Sequence, residues 1–289
     1  MKGIILAGGR GSRLFPSTTS VSKQLLPIYD KPLIYYPLSV LMLADIREIL
    51  IICTADQKEL FQKLLKNGSH LGLKIDYMIQ EKPNGIGEAF IIGEKFINNG
   101  SVCLILGDNI LWGQGLTRKL LRAKRVKKGA TIFAYSVPNP ESFGVMTFDK
   151  RTGEPKKIIE KPKKFISNYA VPGIYFFDKD VCKKAKTLKP SKRGELEITD
   201  LNNLYLSEKS LKCEIFGRGF AWLDTGSSET MLEASNFVST IEKRQGTKIA
   251  CLEEIAFNKS WINEKMLGRQ IKKMPKSSYR DYLKKLYAK

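Results

Sequence analysis

Histidine is almost missing: His70 is the single one in 289 residues. Chemistry that needs an imidazole base or a cage of histidine ligands is left with one candidate, and the polar stretch 67–70 around it reads as a surface turn. Cysteine is scarce and scattered. Cys53, Cys103, Cys182, Cys213 and Cys251 are odd in number and show no Cys-x-x-Cys spacing. That excludes a disulfide framework and a thiolate metal site, and leaves small core residues in a reducing compartment. No apolar run comes near the roughly 18–20 residues that span a bilayer. The first apolar run stops at Gly8 and Gly9, too early for a secretory signal. No membrane segment and a cytoplasmic location are expected. Acidic residues are the last shortage, 29 against 49 Lys and Arg, for a net charge of +20. Such a charge attracts polyanions. Yet the basic residues are spread out, in excess only over 118–128 and after 261, without the interleaved aromatics of a nucleic-acid stacking platform. No nucleic-acid partner is expected, and solvated lysine-rich faces account for most of the charge.

What the chain does have is apolar residues, 43% of the total with 10% aromatic, enough for a sizeable core. The run 2–7 ends at Gly8 and Gly9, as a buried strand running into a glycine loop does. The runs 49–53 and 102–106 are continuously apolar, the pattern of parallel strands covered on both faces. Between them, 37–44, 57–66 and 87–96 carry apolar residues at helical spacing. After Gly129 come short strands, 130–135, 144–148, 156–159 and 173–177, which predict a mixed or antiparallel continuation. A helical pattern covers 227–245 and short helices follow. The expected fold is α/β: a doubly wound, Rossmann-like mixed sheet with a helical C-terminal appendage. The expected division is a core of residues 1–226, in halves 1–129 and 130–226, with 227–289 packed on that core.

The loop Gly8-Gly9-Arg10-Gly11-Ser12-Arg13 follows the first strand. Glycines at such a turn let backbone N–H groups approach a phosphate, and an adjacent arginine adds charge. No Gly-Lys-Ser/Thr closes the loop as in a Walker A sequence, and Leu14 occupies the third glycine position of the dinucleotide fingerprint. Alone, the loop reads equally as a plain strand-to-helix turn. Followed by Lys23, Leu26 and Pro27, it resembles the signature of the sugar nucleotidyltransferases, Gly-Gly-x-Gly-Ser/Thr-Arg-Leu and then Lys-x-x-Leu-Pro. Within that group the stretch 22–54 is similar to the glucose-1-phosphate thymidylyltransferases. Blocks at 106–109, 143–144, 160–162, 167–171, 193–200 and 222–226 agree. The resemblance runs from Met1 to about Trp261 with the motif order undisturbed.

The resemblance implies a nucleotidyltransferase-type fold, with nucleotide bound by 1–129 and sugar phosphate by 130–226. It implies dTTP and glucose 1-phosphate as substrates, dTDP-glucose and pyrophosphate as products, Mg²⁺ as cofactor and a homotetramer as the assembly. The product would lead toward dTDP-L-rhamnose and related deoxysugars. The attacking group in such a reaction is a phosphate oxygen already ionised at neutral pH. No general base is needed; rigid positive charge and a metal are. By resemblance, Arg13 meets the departing pyrophosphate and Lys23 the phosphates nearer the reacting centre. Lys161 holds the sugar phosphate, and Arg193 adds charge beside it. Each, taken alone, reads equally as a solvated surface cation. Gly8, Gly9, Gly11, Ser12 and Gln24 belong to the same nucleotide-binding loops. Asp108 follows the run 102–106, beyond the carboxyl end of a strand, where open α/β sheets bind ligands. Asp224 follows the run 220–223. Either aspartate alone reads as a turn or helix cap; the resemblance puts both at Mg²⁺, with waters and phosphate oxygens completing its shell. Gln80 would read the pyrimidine, its amide pairing with N3–H and a carbonyl, while Gly85 lets the backbone close on the base. Glu160 would bind sugar hydroxyls, and Asn109, Gly144, Val171 and Tyr175 would line the sugar pocket.

The chain departs from the family pattern in places. Ser12 replaces a frequent threonine and keeps the hydroxyl. Gln114 stands where relatives often have histidine, and Asn258 where an arginine often stands. In relatives those segments form a second nucleotide site, so feedback by dTDP-rhamnose is not expected to carry over unchanged. Two alternatives are open. A UTP-dependent enzyme differs by one thymine methyl, worth about 1–3 kcal/mol in an apolar pocket. A non-catalytic sensor on the same fold would be expected to lose Asp108, Asp224 or Lys161, and all three stand.

Overall fold

The computed structural model describes residues 1–9 and 11–287; Arg10 of the glycine loop lies outside the described residues. Four parallel strands carry the first half: β1 (Lys2–Ala7), β2 (Glu48–Cys53), β3 (Lys74–Ile79) and β4 (Val102–Leu106). Their spatial order is β4-β1-β2-β3. The register sets Ile5 between Ile51 and Ile105, all fully buried. Each such side chain contributes about 1.5–3 kcal/mol by leaving water. Successive residues face opposite ways. Ile5 packs toward α1 (Tyr35–Leu43) and α2 (Lys58–Leu65), whereas Ile4 packs toward α3 (Glu88–Ile92) and α4 (Glu94–Ile97). Both faces are covered, which is why these strands read as unbroken apolar runs. The parallel register also aligns the carboxyl ends. Gly107 N donates to Leu6 O at 2.9 Å, so the loop after β1 lies beside Asp108.

In the second half β5 (Asn109–Gly113) leaves the main sheet at once and α5 (Leu116–Ala123) follows. The sheet then continues through β6 (Ala130–Ser136), β7 (Gly144–Phe148), β8 (Pro155–Glu160) and β9 (Ile174–Phe177). The segment from Tyr169 to Phe177 runs antiparallel along β6, but its other neighbour changes. Tyr169–Ala170 pairs with β7, whereas β9 pairs with β4. At the changeover Val171 N donates to Gly144 O and Leu106 N to Gly173 O, both at 2.8 Å. A crevice opens in the sheet there. After α6 (Val181–Ala185) and α7 (Ile198–Ser207), β10 (Leu211–Phe216) joins β6 in parallel. The apolar run before Asp224 is a strand of a separate ribbon: β11 (Phe220–Asp224) pairs antiparallel with β5, setting Asp224 opposite Asn109.

Ser227 ends the ribbon and starts α8 (Ser228–Gln245) with a reciprocal cap. Its hydroxyl accepts from Thr230 N at 3.3 Å, and its own N–H donates to Thr230 Oγ1 at 3.0 Å. Ala234 and Val238 of α8 pack on Ile28, Leu33 and Tyr36. Beside them four charges are gathered, Lys31 and Glu242 buried and Asp30 and Lys248 half-buried. Lys31 pairs with Asp30 and, at 2.8 Å, with Glu242; Lys248 pairs with Asp30 and, at 3.1 Å, with Glu242. The last helices are α9 (Leu252–Asn258), α10 (Glu264–Lys273) and α11 (Ser278–Tyr287), whose Leu252, Ala256, Leu267 and Leu283 share one apolar cluster with Ile5. The turn at His70 is half-buried rather than on the surface, because α10 covers it: Gln270 Nε2 donates to His70 O at 2.8 Å. Burial and nearby Lys66 hold its imidazole below the ordinary histidine range. The cysteines are all free, four buried and Cys213 half-buried. Among the described residues no helix is long and apolar enough to cross a membrane.

Candidate active site

The site is built where the carboxyl ends of β1 and β4 meet the β5–β11 ribbon. Lys23, on a single helical turn, reaches Asp108 Oδ2 with its ammonium at 2.5 Å. The other oxygen of Asp108 accepts from Asn109 Nδ2 at 2.9 Å. Asn109 cannot turn over, because its Oδ1 accepts from Gly173 N at 2.9 Å and from the Trp222 indole N–H at 2.6 Å. Thr225 ties down the ribbon's end by donating to Asp108 O from Oγ1 at 3.0 Å. Asp224 is thereby held beside Asp108. Burial and the Asp108 carboxylate push the Asp224 carboxyl up to about 6, against the opposing pull of Lys23, Arg13 and Lys161. Arg13 and Lys23 come from the stretch after β1 and Lys161 from the turn after β8, and all three face one pair of carboxylates. Among the described residues no group of three or more His, Cys, Asp or Glu side chains forms a metal cage.

Arg13 is exposed, and its guanidinium lies against Gly226. A β-carbon at position 226 would stand 2.7 Å from Arg13 Nη2 and 3.0 Å from Asp224 Oδ2. Gly226→Ala is therefore expected to push the guanidinium aside. It should lower kcat/KM for the nucleotide by about ten- to a hundredfold with the fold retained, as steady-state kinetics and a thermal melt would show; unchanged kinetics would mean that the guanidinium works from elsewhere. Lys161 is exposed and has φ 42°, a left-handed backbone that costs a non-glycine residue of order 1–3 kcal/mol. Its N–H donates to Phe143 O at 3.0 Å, which fixes the turn as β8 ends.

Two cavities lie at the site; Asp224 lines the second of them, while Asp108, Arg13 and Lys23 line neither. A cleft of 470 Å³ is lined by Gly8, Gly9, Ser22, Thr54 and Gln80, among others. A crevice of 190 Å³, at the changeover of the sheet, is lined by Asn109, Gly144, Glu160, Lys161, Val171 and Tyr175 together with Asp224. Gln24 lies beneath the cleft, buried, its Oε1 accepting from Ser22 Oγ at 2.5 Å. Gly11, with φ 61°, and the exposed Ser12 lie further along the loop and line neither cavity. Gly85, φ 100°, packs against Leu196.

Two expected roles come out differently. Arg193 does not line the crevice as a loose positive charge. Glu197 takes its guanidinium at 2.8 Å, with Glu160 and Glu195 each at 3.4 Å, so three carboxylates neutralise it. The Gln80 amide nitrogen is already committed, donating to Glu88 Oε2 at 2.8 Å and to Gly85 O at 3.3 Å. A two-point reading of the base is reduced to its carbonyl oxygen. Other residues of the site went unnamed in the sequence. Thr199 Oγ1 donates to Glu160 Oε2 at 2.6 Å, and Asn202 is buried on the crevice wall with an Oδ1 that has no partner among the described residues. At the segments of the second nucleotide site, Gln114 borders a groove with Arg118, Lys119, Arg122 and Arg218, and Asn258 accepts from Tyr287 at 3.2 Å.

The pattern of the Nucleotidyl transferase family matches residues 2–241. A glucose-1-phosphate thymidylyltransferase of Neisseria gonorrhoeae is 53% identical over 289 residues, covering 100% of both chains. A Bacillus anthracis protein crystallised in complex with sucrose superposes with a TM-score of 0.74 at 39% identity, over 82% of this chain and 94% of that one. UDP-glucose pyrophosphorylase bound to UDP-glucose superposes with a TM-score of 0.73 at 26% identity, over 84% of this chain and 99% of the other. With its glycine loop, its facing aspartates and a match over most of its length, the chain belongs to the nucleotidyl transferase family.

Proposed function

We propose that this chain transfers a thymidylyl group from dTTP to glucose 1-phosphate, giving dTDP-glucose and pyrophosphate. One observation carries the reading: three cations, Arg13, Lys23 and Lys161, converge on Asp108 and Asp224 between a cleft and a crevice. In this reading the nucleotide lies in the cleft and the sugar in the crevice. Lys161, at the crevice, holds the sugar phosphate against the repulsion of the triphosphate. A phosphate oxygen of glucose 1-phosphate bonds to the α-phosphorus while the bond from that phosphorus to the bridging oxygen breaks. Arg13 steadies the departing pyrophosphate. No proton must be removed from the attacking oxygen, so the absence of histidine near the site is no obstacle.

Asp108 and Asp224 suit Mg²⁺. Two carboxylates held side by side, one of them pushed up by burial and then by the other, gain from a divalent cation, and Mg²⁺ commonly takes one or two carboxylates plus waters and substrate phosphates. The ion would neutralise charge developing at the reacting phosphate. Excess EDTA is expected to stop pyrophosphate release, and added Mg²⁺ to restore it; full turnover in chelator would contradict the assignment. The family resemblance supports a cytoplasmic homotetramer whose product feeds dTDP-L-rhamnose and related deoxysugars.

The 26% identical UDP-glucose pyrophosphorylase keeps UTP in view as donor. Pyrophosphate release measured with dTTP and with UTP, against a panel of sugar 1-phosphates, separates the readings. The proposal expects dTTP and glucose 1-phosphate to give the highest kcat/KM. Preference for UTP, or for another sugar, overturns it.

A further inference from the structure

We infer that Glu88 is a positioning residue which fixes the Gln80 amide with its oxygen toward the nucleotide, so that the cleft accepts a base carrying an N3–H and rejects cytosine. The inference rests on the reading that the base lies in the cleft beside Gln80. An amide has two ends of nearly equal size and opposite polarity, and only its neighbours decide which way it faces. Gln80 is 5% exposed, and its N–H donates to Cys53 O at 2.9 Å as β3 ends, so its side chain starts from a fixed point. Glu88 is a pure acceptor when ionised. Its Oε2 takes a hydrogen from Gln80 Nε2 at 2.8 Å, and its Oε1 takes one from Asn84 Nδ2 at 2.7 Å. The second Gln80 hydrogen goes to Gly85 O at 3.3 Å. With the amide reversed, its oxygen would face a carboxylate and a carbonyl, and both hydrogen bonds would become repulsions.

The oxygen is left on the side of Gly8. A β-carbon at position 8 would stand 2.6 Å from Gln80 Oε1, and Gly8 and Gln80 line the same cleft. An acceptor held there matches the N3–H of thymine or uracil and opposes the N3 lone pair of cytosine. The turn that carries Glu88 is itself anchored. Leu196 N donates to Asn84 O at 2.7 Å, and Gly87 N donates to Leu196 O at 2.9 Å. Glu88 therefore cannot drift to follow a reversed amide.

The test compares kcat/KM for dTTP and for dCTP, at saturating glucose 1-phosphate, in the native enzyme, Glu88→Ala, Glu88→Met, Glu88→Gln and Gln80→Ala. Alanine and methionine remove the acceptor, and methionine keeps the length and the packing. Both are expected to cut the preference for dTTP over dCTP by about tenfold or more, chiefly through KM for dTTP, with KM for glucose 1-phosphate unchanged. Glu88→Gln, whose amide oxygen still accepts from Gln80, is expected to recover most of the preference. An unchanged preference in Glu88→Met overturns the inference, and so does an equal loss for both nucleotides. If Gln80→Ala abolishes the preference while the Glu88 variants keep it, Glu88 has no such role and the base reading stands. If Gln80→Ala keeps it, the base reading itself falls.

Discussion

Lys161→Ala is expected to lower turnover with dTTP and glucose 1-phosphate by about a hundred- to a thousandfold, the usual effect of removing one positioned charge from a crowded transition state. The side chain is exposed, so a merely solvated lysine would change stability by less than about 0.5 kcal/mol and the rate not at all. The two outcomes are far apart. The left-handed backbone at this position makes the functional reading the stronger one: a strained turn persists when its surroundings enforce it, and here Phe143 O holds it. Alanine keeps a β-carbon and therefore the strain, so a thermal melt should register almost nothing while steady-state kinetics register the whole loss. Near-normal rates at both limiting and saturating glucose 1-phosphate would remove Lys161 from the site.

Asp224→Asn is expected to separate activity from stability in the opposite sense. The substitution keeps the shape and deletes one of two adjacent carboxylates that burial and mutual repulsion disfavour. Without metal the variant should melt no lower than the native protein, and higher if repulsion dominates over the pull of Lys23, Arg13 and Lys161. With Mg²⁺ present, its turnover should fall by at least about a thousandfold, since the ion's share of transition-state stabilisation is several kcal/mol. Melting curves and a Mg²⁺ titration of the rate are the measurements. A variant that reaches the native rate at high Mg²⁺ would show that Asp108 and the substrate phosphates hold the ion unaided.

What could be read in the sequence was set by short-range order. Gly8 and Gly9 follow β1 directly and Asp108 follows β4, so naming the strands also located the loops where chemistry collects. The strands themselves were legible where both faces are covered. β3, with Lys74 and Asp76, and β10, with Lys212 and Glu214, carry charges that break the apolar run, and neither stood out. The orientation of the site residues lies in long-range contacts that no local pattern encodes. Asn109 is locked by Trp222, 113 residues away, because β5 happens to pair with β11. Glu160 receives its hydrogen bond from Thr199 on α7. Arg193 is the exception, since two of its three carboxylates, Glu195 and Glu197, stand within four residues of it. Whether a glutamine offers its oxygen or its nitrogen to a ligand, as with Gln80, depends on a single neighbour such as Glu88.

The four paired charges of Asp30, Lys31, Glu242 and Lys248, of which Lys31 and Glu242 are buried, bear on how this protein can be divided and recombined. Two belong to the segment just after Lys23 and two to the C-terminal helical region. A fragment ending at Gly226 would keep Asp30 and Lys31 and lose both of their distant partners. Such a fragment would also open to water the apolar face of Ile28, Leu33 and Tyr36 that Ala234 and Val238 cover, at about 1.5–3 kcal/mol for each large side chain exposed. The sheet with its aspartates is therefore not a self-standing cassette, and the helices after it are no ornament to be trimmed for a minimal catalyst. A chimera that borrows these helices from a relative must borrow the 30–31 turn with them, because the two are inherited as one electrostatic unit.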